Sequence, residues 1–181
     1  GATVAGKAMF VCMNRYIAYD LYKIIIELRP EWAVKKVAAD GVALTEKDKK
    51  ELKPIEMVKL VMTRNKDDEK DLFDMLGSKD DRKEFDRQFK NPRSNFKIAI
   101  VVDMWLTGFD VPELDTIYID KPIQQHTLIQ TISRVNRVCE GKDKGLIVDY
   151  IGIKKNMNLA LKKYTNFECD EFEGVDQCVV I

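Results

Sequence analysis

The sequence has no excess of charge of either sign: thirty Lys and Arg balance thirty Asp and Glu, and the formal net charge is zero at pH 7. No global field advertises a polyanionic partner, so any contact of that kind has to be local. Cysteine and histidine are scarce. Cys12, Cys139, Cys169 and Cys178 show no CxxC or Cys/His spacing, and His126 is the single histidine. They read as reduced thiols in a cytoplasmic protein with no metal site. No apolar run approaches the length of a membrane span, and no charged-then-apolar signal peptide opens the chain. The expectation is a soluble, intracellular protein without a membrane partner. There is also no internal repeat and no low-complexity tract.

What is present fits one ordinary α/β domain: 181 residues, 45% hydrophobic and 33% charged, enough for a sizeable core. Short apolar runs alternate with amphipathic or charged stretches. Residues 8–13 read as a buried strand, and 17–28 as a helix stopped before Pro30. Residues 34–39 and 59–63 are strand candidates, separated by a polar excursion with a short helix near 46–52. Residues 67–77 read as a helix, with Asp67, Asp68 and Glu69 at the positive end of its dipole. Residues 80–90 read as another, closed by Pro92. The continuous aliphatic run 97–102 is typical of a central parallel strand. Residues 116–119 and 145–148 are further strands with a helix at 124–137 between them, and 154–164 is a last helix. The chain starts almost on a strand and ends in a poorly patterned acidic tail, which suggests a piece of a larger protein. Alternating strands and helices predict a three-layer domain on a mainly parallel sheet.

Residues 1–8 match G-x-x-x-x-G-K, the phosphate-cradling loop, but Ala8 stands where Ser or Thr would hold magnesium. A strand follows Lys7 where a helix should open. The match is read as a decoy, so the chain has no phosphate loop of its own.

Two segments carry the chemistry. Thr107-Gly108-Phe109-Asp110 lies just past the central strand, where ligands of open parallel sheets bind. Gly108 allows close backbone approach, and Asp110 can accept hydrogen bonds from ribose hydroxyls. Alone, the segment reads equally well as an ordinary loop with a capping Asp. In the second, Gln130, Arg134 and Arg137 share a narrow arc of a helix, while Leu128, Ile132 and Val135 share the opposite arc. Alone, that polar face would be a solvated surface. Two aligned guanidiniums also suit a polyphosphate. Trp105 is read as a packing residue under the loop, His126 as structural, and Lys121-Pro122 as setting the loop that aims the arginine helix.

Together the two segments resemble the second RecA-like lobe of superfamily 2 helicases and translocases. Residues 107–110 match the fifth motif of that family, Gln130-x-x-x-Arg134-x-x-Arg137 the sixth, and the strand 8–13 with Asn14-Arg15 the fourth. Residues 61–68, 101–112, 118–122, 133–137 and 145–150 are similar, more narrowly, to the motor (R) subunit of type I restriction enzymes. One departure is Val102, where RNA helicases of the superfamily carry a phosphate-binding Thr.

The resemblance implies a P-loop-NTPase-like, RecA-like fold lacking its own phosphate loop, with the lobe over 1–153 and a helix and tail over 154–181 leading to a helical domain. It implies ATP with Mg²⁺ held mainly by a first lobe. Arg134 and Arg137 would be catalytic arginine fingers, and Gln130, Gly108 and Asp110 would face the nucleotide. Asn14, Arg15 and Thr107 would contact the backbone of double-stranded DNA. The implied partners are the first RecA-like lobe and nuclease domain of the same chain, with the methyltransferase and specificity subunits of a holoenzyme. The competing readings are another superfamily 2 helicase or type III restriction subunit, and a non-motor RecA-like module that binds DNA or protein.

Overall fold

A computed structural model of the chain describes residues 6–106, 110–124, 127, 130, 131, 135 and 145–152. Five parallel strands form one sheet in the order β2-β3-β1-β4-β5, with β1 Lys7–Cys12, β2 Val58–Val61, β3 Ile98–Val101, β4 Leu114–Asp120 and β5 Leu146–Asp149. Successive side chains leave a strand on opposite faces, and the register uses this across the whole sheet. The row Ala99, Met9 and Ile117 points to one face, and the row Leu60, Ile100 and Phe10 to the other. Each face has its own core.

The helices divide between those faces. Helix α1, Arg15–Leu28, and helix α3, Lys70–Leu76, cover the Ile100 face through Ala18, Leu72 and Leu76. Helix α4, Lys79–Lys90, covers the Met9 face through Phe89, joined there by Val135. Helix α2, Glu46–Glu51, is one short turn within the polar excursion. Local signals explain the helix starts. The Asn14 side chain accepts from the Ile17 N–H at 3.0 Å, and Thr45/Asp48 and Ser78/Asp81 form capping boxes for α2 and α4.

The expected three-layer α/β domain with a parallel sheet is therefore what forms. Two local expectations differ. Residues 34–39 make no strand: Pro30–Ala33 is a 3₁₀ turn, and Lys36 forms only an isolated antiparallel bridge with Ile55. A single bridge leaves no ladder to join, and Val34 stays 51% exposed. Helix α3 begins at Lys70, three residues later than the charge pattern predicts. Asp68 is committed elsewhere, accepting from the Asn65 N–H and pairing with Arg15, so its segment is held as a turn. The expected helix at 154–164 and the tail after 168 lie outside the described residues.

Candidate functional site

The carboxyl ends of β1, β2 and β3 open onto a cleft of about 160 Å³, where open α/β sheets take their ligands. Arg15 reaches it from β1, Thr63 and Asn65 from β2, and Val102, Asp103 and Met104 from β3. Of the two expected nucleic-acid residues here, Asn14 is exposed beside the cleft at the start of α1, with its Oδ1 used in the cap. Arg15 is held on two sides. Its Nη1 donates to the Thr63 carbonyl at 2.5 Å, and its Nη2 donates to both carboxylate oxygens of Asp68 at 2.5 and 2.6 Å. Asp68 also accepts from the Asn65 N–H at 2.7 Å. Its burial alone would raise the carboxyl, but the Asn65 N–H and the Arg15 guanidinium hold it below the usual range. Arg15 and Asp68 thus staple the loop after β2 to the first turn of α1.

A second staple shapes the loop after β3. Lys121, at the exit of β4, pairs with Asp103 and donates to the Val102 carbonyl at 3.4 Å. Trp105 adopts a left-handed φ of 67°, which an L-residue takes only when its surroundings enforce it. Its ring stacks on Phe89 at 5.3 Å and tilts against Phe96 at 6.4 Å. This is the packing role expected of it, and it anchors the chain just before the expected ligand loop. Thr107 and Gly108 lie outside the described residues, and Asp110 is exposed just beyond them.

The helix between β4 and β5 is seen at Thr127, Gln130, Thr131 and Val135. Val135 is 1% exposed within the Met9-face core, Thr131 is 2% exposed with its hydroxyl donating to the Thr127 carbonyl at 2.8 Å, and Gln130 is half-buried. A Cβ at Gly145 would lie 2.1 Å from the Val135 carbonyl oxygen. Only glycine therefore lets this helix seat against the start of β5. Arg134 and Arg137 lie outside the described residues, as does His126.

The decoy at the start is settled by Lys7. It opens a strand, is 1% exposed, and donates through Nζ to the carbonyls of Gln88, Phe89 and Asn91 at the end of α4. A lysine sunk there closes a helix C-terminus and cannot cradle a phosphate. Burial, with Lys97 adding and Glu113 opposing, pushes its ammonium down to about 6. A larger cleft of about 340 Å³ lies beside β2. Its Lys59 and Glu56 pair at 3.2 Å, and its Glu84 is taken by Arg87. Among the described residues, no group of three or more His, Cys, Asp or Glu could hold a metal ion, and no helix is long and apolar enough to cross a membrane.

Sequence reasoning missed the partners that shape the site: Asp68 for Arg15, Asp103 for Lys121, and the α4 carbonyls for Lys7. Arg15 and Asp68 are 53 residues apart, and Lys7 and Phe89 are 82 apart. No local spacing could reveal either pair.

Comparison with known proteins gives the chain its place. The family model described as Type I restriction enzyme subunit R domain 3 matches residues 5–152. The HindI type I restriction enzyme endonuclease subunit of Haemophilus influenzae is 40% identical over 90% of this chain and 14% of its own length. The MjaIXP counterpart of Methanocaldococcus jannaschii is 41% identical over 89% of this chain and 13% of its own length. The chain thus spans about one seventh of these relatives. Two solved structures share the fold at low identity. A fragment of an HsdR subunit of a type I restriction enzyme from Vibrio vulnificus superposes with a TM-score of 0.53 at 15% identity, over 86% of this chain and 25% of that one. A variant of the S. cerevisiae protein Dbp5, bound to RNA and ADP BeF3, gives 0.52 at 17% identity, over 88% and 32%. The fold is thus the RecA-like lobe that the loop and arginine-helix motifs implied. With its family matched across nearly the whole described domain, the chain belongs to the type I restriction enzyme R subunit family, as that subunit's domain 3.

Proposed function

We propose that this domain is the second motor lobe of an ATP-dependent DNA translocase, presenting Arg134 and Arg137 across a cleft to Mg²⁺–ATP held mainly by the first lobe. The observation that carries the reading is the family match over 5–152, which contains both sequence motifs, 107–110 and 130–137. The lobe occupies 1–153, and 154–181 leads toward a helical domain. Bound ATP supplies the phosphoryl group. The lobe's own contribution is charge: an arginine placed against the γ-phosphate stabilises the transition state and is worth on the order of 10³–10⁵ in rate. Gln130 orients from the same helix, and Gly108 and Asp110 form the nucleotide edge opposite it. The burial of Thr131, and of Val135 within the Met9-face core, supports a helix fixed firmly enough for that task.

Contacts to double-stranded DNA go to the phosphate backbone, which lets a motor ignore sequence. Asn14 spends its carbonyl oxygen on the cap and offers its amide to a phosphate oxygen. Arg15 adds its positive edge, held in place by Asp68, and Thr107 closes the grip from the other loop. Opening and closing of the lobes steps the protein along DNA. Recognition of the DNA site belongs to the specificity subunit, modification to the methyltransferase subunit, and cleavage to the nuclease domain of the same chain as this lobe. The reading is tested by DNA-stimulated ATP turnover of the intact parent subunit. Arg137→Ala is expected to lower it several hundred-fold or more, and unchanged turnover would remove the finger role.

A further inference from the structure

The two faces of the sheet are covered to different extents. On the Met9 face the core runs across β1 and β4, with Met9, Ile117 and Ile119 at most 2% exposed, and it reaches β5 through Ile147. On the Ile100 face the core draws on β1, β2, β3, α1 and α3. Among the described residues, no side chain of β4 or β5 joins it. The register there sets Ala8, Thr116 and Leu146 in one row and Phe10, Tyr118 and Val148 in the next. Leu146 is 56% exposed, and the other five are half-buried. Tyr118 stacks on Phe10 at 4.2 Å and on Tyr150 at 6.4 Å, so this strip is largely apolar. Parallel strands are covered on both faces. Two neighbouring strands about 4.8 Å apart offer a seat for one helix, about 10 Å across.

We infer that residues 153–164 supply that helix, lying back along β4 and β5 on the Ile100 face. At about 100° per residue, Ile153, Met157, Ala160, Leu161 and Tyr164 fall within about 100° of arc, the width that one sheet face requires. Lys155, Asn158 and Lys162 fall on the opposite side. At about 1.5 Å of rise per residue the stretch is about 18 Å long, enough to run the length of β5, Leu146–Asp149. Position selects the same segment. It follows directly on β5, and Gly152, at a left-handed φ of 74°, lets the chain fold back. The Met9 face beside β5 is already taken, because Ile147 and Ile151 pack into the core that holds Val135. The start of β5 also abuts the Val135 carbonyl. The Ile100 face is therefore the one open to the departing chain. The stretch that leads out of the lobe thus begins as part of its outer layer. The inference rests on the sheet and the sequence pattern and is independent of the arginine-finger chemistry.

The experiment uses the intact parent subunit and follows maleimide labelling of Leu146→Cys, read peptide by peptide by mass spectrometry. The reference is Lys47→Cys, whose native side chain is 78% exposed. Labelling at 146 is expected to be at least ten-fold slower than at 47. Adding Leu161→Asp, on the inner arc, should raise it at least ten-fold, while Lys162→Asp, on the outer arc, should leave it slow. Equal rates at 146 and 47 without the helix substitutions would overturn the covered face. Slow labelling that survives Leu161→Asp would show that another segment covers the strip, and would overturn the occupant inferred here. Retained amide protection of β1 establishes that the sheet of the Leu161→Asp variant is folded, and Met157→Asp takes its place if it is not. A second measurement needs no substitution. Amides over 157–164 should exchange at least ten-fold slower than those of an unstructured chain, and exchange at the unstructured rate would remove the helix.

Discussion

At the scale of single residues, the fold is pinned by polar side chains whose partners lie far away in sequence. Lys7 meets three carbonyls at the end of α4, so Lys7→Met leaves buried acceptors unmet and should cost about 1–3 kcal/mol in urea unfolding. The same variant should alter the pH profile. Lys7 falls from its ordinary 10.5 to about 6 in the fold, so between those values the unfolded chain binds more protons than the native one. Stability therefore rises with pH across that window, and Lys7→Met should flatten the rise. Asp68 gives the same sign in a lower window. Its carboxyl is held below its ordinary 3.8, so its contribution is complete above that value and is lost as the pH falls through the folded one. Asp68→Ala strands Arg15, whose side chain is 24% exposed, and should cost about 1–3 kcal/mol at neutral pH. An equal unfolding midpoint for the variant and the native chain would show that the staple holds nothing. Neither partner was legible in the sequence. Arg15 stood out by following a strand, and Asp68 read only as a helix-dipole charge. The chain fold that brings them together is a property of the whole sheet.

At the scale of elements, the aliphatic runs were readable because their physics is local. Ile98–Val101 is buried on both faces, as a central parallel strand must be, and its continuous aliphatic composition reports that directly. The Ser78/Asp81 capping box that starts α4 is just as local, although the sequence reading placed that helix only by its range and the proline that closes it. Residues 34–39 misled because apolar composition cannot say whether a neighbouring strand exists to pair with. The helix between β4 and β5 was readable from its inner arc, and Val135 takes the buried position that the period assigns it. Its close seating was not readable, because it depends on the missing side chain at Gly145. A Cβ there meets backbone rather than a flexible side chain. Gly145→Ala should therefore shift the helix that carries Gln130 and lower DNA-stimulated ATP turnover of the intact subunit at least ten-fold, with nucleotide binding retained. Full turnover in that variant would mean that the helix position is not critical to the reaction.

At the scale of the whole molecule, the chain spans about one seventh of its Haemophilus influenzae relative. The loop and arginine-helix motifs made the family legible because they are long and occur in fixed order on an α/β frame. The site stayed only half legible, because the pairs that shape it, Arg15 with Asp68 and Lys121 with Asp103, join residues far apart in the chain. Lys7 lies buried in a strand instead of a phosphate loop, so the isolated chain should turn over no ATP. Sustained hydrolysis that survives removal of contaminants would contradict this. The central claim is that Arg134 acts across the lobe cleft on a nucleotide bound elsewhere. It is tested most directly by DNA-stimulated ATP turnover of the intact parent subunit, native against Arg134→Ala, with ATP binding measured in parallel. The account predicts turnover reduced several hundred-fold or more with ATP binding preserved; turnover equal to that of the native subunit would contradict it and leave a RecA-like module without a motor role.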